Sequence, residues 1–259
     1  AIKPALATID ASLPSATGVR RADLLAHTGW ATFLLRRDGD RRLVPTDMYQ
    51  EALSLDPGNP YANAMLAHWV LLQDDDVPRA VKLFDTAVQA GRALGAVRTL
   101  QWAGYGNVSA IAADVERVRL ADAMRRGGEK LNVFQAQSLW GPYYFAMSGG
   151  RDQQREALLG AVPPDDHIST LEWAFDEYAA KDDARQMTIR YYVALLNASA
   201  GRTPQAVADL RALNKELAAS PGSLREAVQS ALKRLQAERL GRPPRYGQRA
   251  ARTRRRAPF

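Results

Sequence analysis

The sequence contains no cysteine, which excludes disulfides, thiolate catalysis and thiolate metal sites together. No apolar run approaches the roughly 18 residues that a spanning helix needs, so no segment crosses a membrane as a helix. Strand signals are sparse. Few β-branched clusters alternate with polar residues, no Asn-Gly pair occurs, and Asp38-Gly39 lies between helical patterns. A phosphate-loop lysine motif and a Gly-x-Ser-x-Gly elbow are both missing. Lysine is scarce, with 6 residues against 29 arginines, a bias that reads as genomic rather than functional.

What is present is charge, unevenly placed. The 259 residues carry 35 Lys+Arg against 28 Asp+Glu, a net of +7. From Arg239 to the end there are eight arginines and no acidic residue, so residues 1–238 carry a net of −1. A nearly neutral body with a cationic tail is a different object from a basic domain, and it weakens the inference from high pI to nucleic-acid binding. Apolar residues make up 46% of the chain, ample for a core in one large domain or two ordinary ones. The chain opens Ala1-Ile2-Lys3-Pro4 rather than with Met and so reads as a processed or truncated product, compatible with loss of a signal peptide, membrane anchor or N-terminal domain. The compartment stays open, since a cysteine-free chain suits bacterial cytoplasm and periplasm alike.

Helical periodicity runs through most of the chain. Leu24, Leu25, Thr28, Ala31 and Leu35 trace one face of a helix near 20–37, and Met48, Ala52 and Leu55 one near 45–55. The clearest pair is 60–73 with 77–92, carrying Ala64, Ala67 and Leu71, then Ala80, Leu83, Phe84 and Ala87. Further helices fit near 107–126, 131–148, 152–161, 168–180, 183–200, 203–219 and 221–240. Asp76 before Val77-Pro78 is placed to cap a helix start, and Thr203-Pro204 and Ser220-Pro221 repeat the device. Ser169-x-x-Glu172 and Ser223-x-x-Glu226 have capping-box spacing. Asp56-Pro57-Gly58-Asn59-Pro60 is a turn that keeps two helices from merging.

A shift of 35 residues aligns the first two helix pairs: Gly29 meets Ala64, Thr32 meets Ala67, Tyr49 meets Phe84, and Ala52 meets Ala87. Small residues let two helices approach, and an aromatic fills the space toward the next pair. With these positions the segment 61–92 resembles a tetratricopeptide repeat. Units ending at Leu55-Asp56-Pro57, near 138–161 and near 187–219 are similar in a more degenerate form, and 93–130 fits no repeat. The resemblance implies an all-α fold, a right-handed superhelical stack of antiparallel helix pairs over 1–240. An irregular middle falls near 93–130, helix 221–240 caps the stack, and 241–259 is a basic Arg-rich tail.

Catalytic and metal chemistry finds little support. His27, His68 and His167 are far apart and lack carboxylates at ligand spacing. Asp74-Asp75-Asp76 lacks the alternating ligands and glycine of a calcium loop. Glu172, Asp176 and Glu177 read as a solvated face. Gly104-Tyr105-Gly106-Asn107 follows no strand and reads as an irregular connection. Aromatic clusters at Trp140, Tyr143, Tyr144 and Phe145 and at Trp173, Phe175 and Tyr178 read first as core.

In the repeat family the first helix of each unit lines a concave groove. Carried over residue by residue, the resemblance puts Trp30 and Leu34, then Met65, Trp69 and Leu72, and later Tyr191 and Leu195, on that face. The family's carboxylate-clamp groove uses Lys and Asn there, and the apolar residues of this chain suit an amphipathic helix or hydrophobic segment instead. The implied role is a non-catalytic scaffold or adaptor that binds another protein, without cofactor or metal, as a subunit of a larger assembly or alone. In the tail, Arg242, Arg245, Arg249, Arg252, Arg254, Arg255 and Arg256 suit an anionic contact: nucleic-acid phosphates, a lipid surface or an acidic protein. A helical-repeat protein that binds RNA through this tail is the alternative reading.

Overall fold

The computed structural model describes the chain except residues 1, 38, 40–43, 148–149, 180–182, 220–221 and 240–259, and the side chains of 177–179, 183 and 239. Ser148, Gly149, Ser220-Pro221, the side chains of Glu177 and Tyr178, and the arginines of 242–256 therefore lie outside the described residues. The chain is all-α, with no strand among the described residues. Two compact units divide it, residues 1–124 and 125–259.

The first unit holds α1 (Ile2–Ser12), α2 (Gly18–Arg37), α3 (Thr46–Leu55), α4 (Pro60–Asp74), α5 (Val77–Gln89), α6 (Leu94–Gly106) and most of α7 (Ile111–Arg126). Its centre is α4, whose residues from Pro60 to Leu71 are almost all buried and which packs against α2, α3, α5 and α6. A helix apolar on nearly every side must be covered on nearly every side. The start of α4 is fixed by Asn59, whose side chain accepts from the Ala62 amide, and Pro60 stands where no helical hydrogen bond is lost. The chain turns back at Asp75, in the left-handed conformation at φ 51°, and Asp76 accepts from the Arg79 amide to open α5. Ala64, Ala67, Leu71, Ala80, Phe84 and Ala87, the six positions of the repeat pattern, are all fully buried.

Close approach is built from small residues. A Cβ on Gly29 of α2 would lie 2.5 Å from Cε1 of Tyr49, a fully buried ring on α3. A Cβ on Gly104 of α6 would lie 2.8 Å from Leu71 Cδ1 and 3.4 Å from His68 Nδ1. This corrects the reading of Gly104-Tyr105-Gly106-Asn107 as an irregular connection: the first three residues end α6, Gly104 lets that helix close onto α4, and Tyr105 packs edge-on to Phe84. A polar staple joins distant segments. Arg92, just after α5, donates twice to Asp23 of α2 at 3.0 Å and once to Asp56 at 3.3 Å, and Asn59 donates to the same two carboxylates.

The second unit holds α8 (Val133–Ala146), α9 (Asp152–Leu159), α10 (Pro164–Ala179), α11 (Asp183–Ser199), α12 (Thr203–Glu216) and α13 (Ser223–Arg239). The pair α11 and α12 packs along its length, and α13 covers both. Tyr143, His167 and Tyr192 are buried together. Tyr143 and His167 share a hydrogen bond, and the Tyr192 hydroxyl donates 2.5 Å to the Tyr143 carbonyl. Asn132 and Gln135 form a capping box that opens α8.

Three cap expectations are corrected. Ser169 lies inside α10, where its hydroxyl bonds the Asp165 carbonyl, because Pro164 opens that helix earlier. Ser223 is the first residue of α13, and Glu226 bonds through its amide to the carbonyl of Gly222. Thr203 is likewise the first residue of α12, preceded by Arg202, whose side chain makes no cap bond. The helix α1 was not legible from its sequence pattern, since it contributes no buried residue.

Candidate functional site

On α2 the spacing Trp30, Phe33, Arg36 and Arg37 puts four side chains on one face, and His68, Trp69, Leu72 and Gln73 do the same on α4. Because α4 packs on α2 and also on α6, these faces meet Ala103 and Asn107 at the end of α6. Together they line a hollow of about 640 Å³, within the size range of ligand and side-chain pockets.

The hollow is aromatic. Trp30 and Phe33 lie 4.8 Å apart, and both meet the His68 ring edge-on at 5.3 and 5.5 Å. Phe33 meets Trp69 perpendicularly at 6.2 Å, and the Arg36 guanidinium sits 5.4 Å from the Trp69 ring centre, a cation–π distance. His68 is 4% exposed. Burial pushes its pKa down to about 4, which a backbone hydrogen bond with Leu100 only partly opposes, so the ring is neutral near pH 7. Rings supply a floor for an apolar side chain, and Arg36 with Arg37 supplies positive charge beside it. Among the described lining residues there is no carboxylate and no thiol.

The structure brings together Trp30, Trp69 and Leu72 of the groove expected from sequence. Met65 is packed into the core at 5% exposure, so it offers no surface to a partner. Leu34 is half-buried and does not line the hollow. Tyr191 and Leu195 belong to the second unit and are buried at 2% and 3%. Tyr191 borders a small, polar hollow with Arg155 and Arg234. Phe33, Arg36 and Arg37 were within reach of sequence reasoning, being the continuation of the Trp30 stripe. Ala103 and Asn107 were not, because no helix was read over 94–106.

The remaining sequence candidates scatter. The His27 ring nitrogen lies 2.7 Å from the Asp23 carbonyl, and no cluster of three metal-capable side chains occurs among the described residues. The expectation that Trp140, Tyr143, Tyr144 and Phe145 are core holds for Tyr143 but not for its next neighbours, since Tyr144 and Phe145 are about half exposed; Phe134, at the start of the same helix, is 81% exposed. The seven tail arginines, Arg242 to Arg256, lie outside the described residues. No family model matches the chain, and no curated protein or solved structure matches it either.

Proposed function

We propose that the chain is a non-catalytic interaction scaffold, built of tetratricopeptide-like helix pairs stacked as a superhelix, that holds a segment of another protein across α2, α4 and α6. One observation carries this reading. The first helices of successive pairs contribute adjacent aromatic faces to a single open hollow, the arrangement that anchors one large side chain of a bound segment. The ligand segment presents an aromatic or branched apolar anchor to Trp30, Phe33 and Trp69.

The test compares the tagged full chain with Trp30→Ala and Leu72→Glu variants in co-purification, with far-UV circular dichroism as the fold control. Both side chains are only half-buried, so the helices survive the changes. Loss of the same co-purifying protein from both variants supports the reading. Undiminished recovery from both folded variants overturns it.

A further inference from the structure

We propose that the Arg-rich end of the chain, residues 240–259, docks in cis in a groove of the second unit walled by α10, α11 and α12. The groove has a volume of about 480 Å³. Leu171 and Phe175 form its buried floor, and Ile189 and Val193 are half-buried beside them. Three carboxylates, Glu172, Asp176 and Asp209, stand around this apolar floor. Glu172 and Asp176 are exposed and make no ion pair among the described residues. Asp209 accepts 2.8 Å from the neutral amide of Gln205. Arg190, the one cation among the described lining residues, has its guanidinium held by both oxygens of Glu216 at 2.7 and 2.8 Å. The groove is therefore apolar at its base and acidic at its edge.

The chain itself carries the complement. Its last 21 residues hold eight arginines and no acid, and Tyr246 stands between Arg245 and Arg249. An aromatic flanked by cations matches an apolar floor flanked by carboxylates, with Glu172 and Asp176 one turn apart on α10 and within about 6 Å of each other. The segment also starts in the right place. It follows Arg239, the end of α13, which packs on α11 and α12, two of the groove's three walls. Twenty residues reach up to about 70 Å when extended, whereas a unit of this size has a radius of gyration near 14 Å, so reach does not limit the contact. Tyr246 seats on Phe175 and Ile189, and Arg245 and Arg249 face Glu172, Asp176 and Asp209. The groove is distinct from the aromatic hollow of the first unit, and the two proposals stand or fall separately.

The absence of cysteine makes the test direct. In the full chain, Gln186→Cys places a nitroxide at the exposed edge of the groove, and the amide signals of residues 240–259 are followed by NMR. Docking predicts broadening centred on 243–250. The broadening is lost in Glu172→Lys/Asp176→Lys, lost in Tyr246→Ser, and weakened by high salt as screening tightens. The charge-reversed positions are exposed, so the fold persists and circular dichroism verifies it. Sharp tail signals in the spin-labelled parent chain overturn the proposal, as does broadening indifferent to charge reversal. Broadening that arises only between separately labelled, mixed chains assigns the groove to a second copy and also overturns docking in cis.

Discussion

Alanine at Gly29 tests whether close helix approach, rather than chance, put glycine there. The added Cβ would stand 2.5, 2.9 and 3.1 Å from Cε1, Cδ1 and Cζ of Tyr49, against the roughly 3.5–4.0 Å at which carbon atoms rest. Tyr49 is fully buried, so its ring can give way only by moving against its packed neighbours. Overpacking of this kind costs about 1–3 kcal/mol, and alanine regains about 1 kcal/mol of helix propensity. A net loss of up to about 2 kcal/mol is expected, which leaves Gly29→Ala about 1–3 kcal/mol below a glycine-to-alanine change that meets no neighbour. Gly95→Ala on α6 is the control, since nothing lies within 4 Å of its Cβ position and propensity acts alone, a gain of up to about 1 kcal/mol. Urea unfolding followed by circular dichroism compares the two. If Gly29→Ala is as stable as Gly95→Ala, the packing of α2 on α3 is not as described and the small-against-aromatic pattern loses its physical basis.

Ala93 sits at φ 57°, a conformation that costs an L-residue about 1 kcal/mol, so Ala93→Gly should raise the urea midpoint or leave it no lower. Asn59→Ala removes the cap of α4 and two part-buried donations to Asp23 and Asp56; it should cost about 2–3 kcal/mol by the same measurement. His68 gives a pH dependence. Its pKa in the folded chain is held near 4 while the unfolded chain titrates near its ordinary value of about 6.5. The unfolded state therefore binds the extra proton between these values, and stability is full above about pH 6.5 and falls as pH drops toward 4, by up to about 3 kcal/mol. His68→Gln should flatten this part of the profile; an unchanged slope would mean that other groups set it.

The legible part of the fold was the part written in periodicity. The pair α4 and α5 shows alternating small and large residues at helical spacing, and its caps, Asn59 directly before Pro60 and Asp76 two residues before Pro78, are helix-start residues, so the boundaries follow from local chemistry. The helix α6 was hidden because 93–130 fits no repeat and Gly104-Tyr105-Gly106-Asn107 reads as an irregular connection. Only the neighbouring helix reveals that Gly104 is a contact surface against Leu71 and His68. The same reason divides the site. Trp30, Trp69 and Leu72 lie on stripes visible in sequence, whereas the closing wall at Ala103 and Asn107 depends on a helix whose pattern alone argues against it. Met65 shows the converse limit, since a helix buried on all sides has no stripe to separate groove from core. For the aromatics of α8, the crowding of Trp140, Tyr143, Tyr144 and Phe145 pointed inward, but Tyr144 and Phe145 stay about half exposed among the described residues.

The central claim is that another protein's segment lies in the hollow of α2, α4 and α6. Site-specific photo-crosslinking asks this directly, with benzoylphenylalanine in place of Leu72, which lines the hollow, and in place of Lys82, an exposed residue of α5. The account predicts a discrete protein adduct from position 72, none from position 82, and loss of the adduct when Trp30→Ala is added. The same adducts from both positions, or none from position 72, would contradict it.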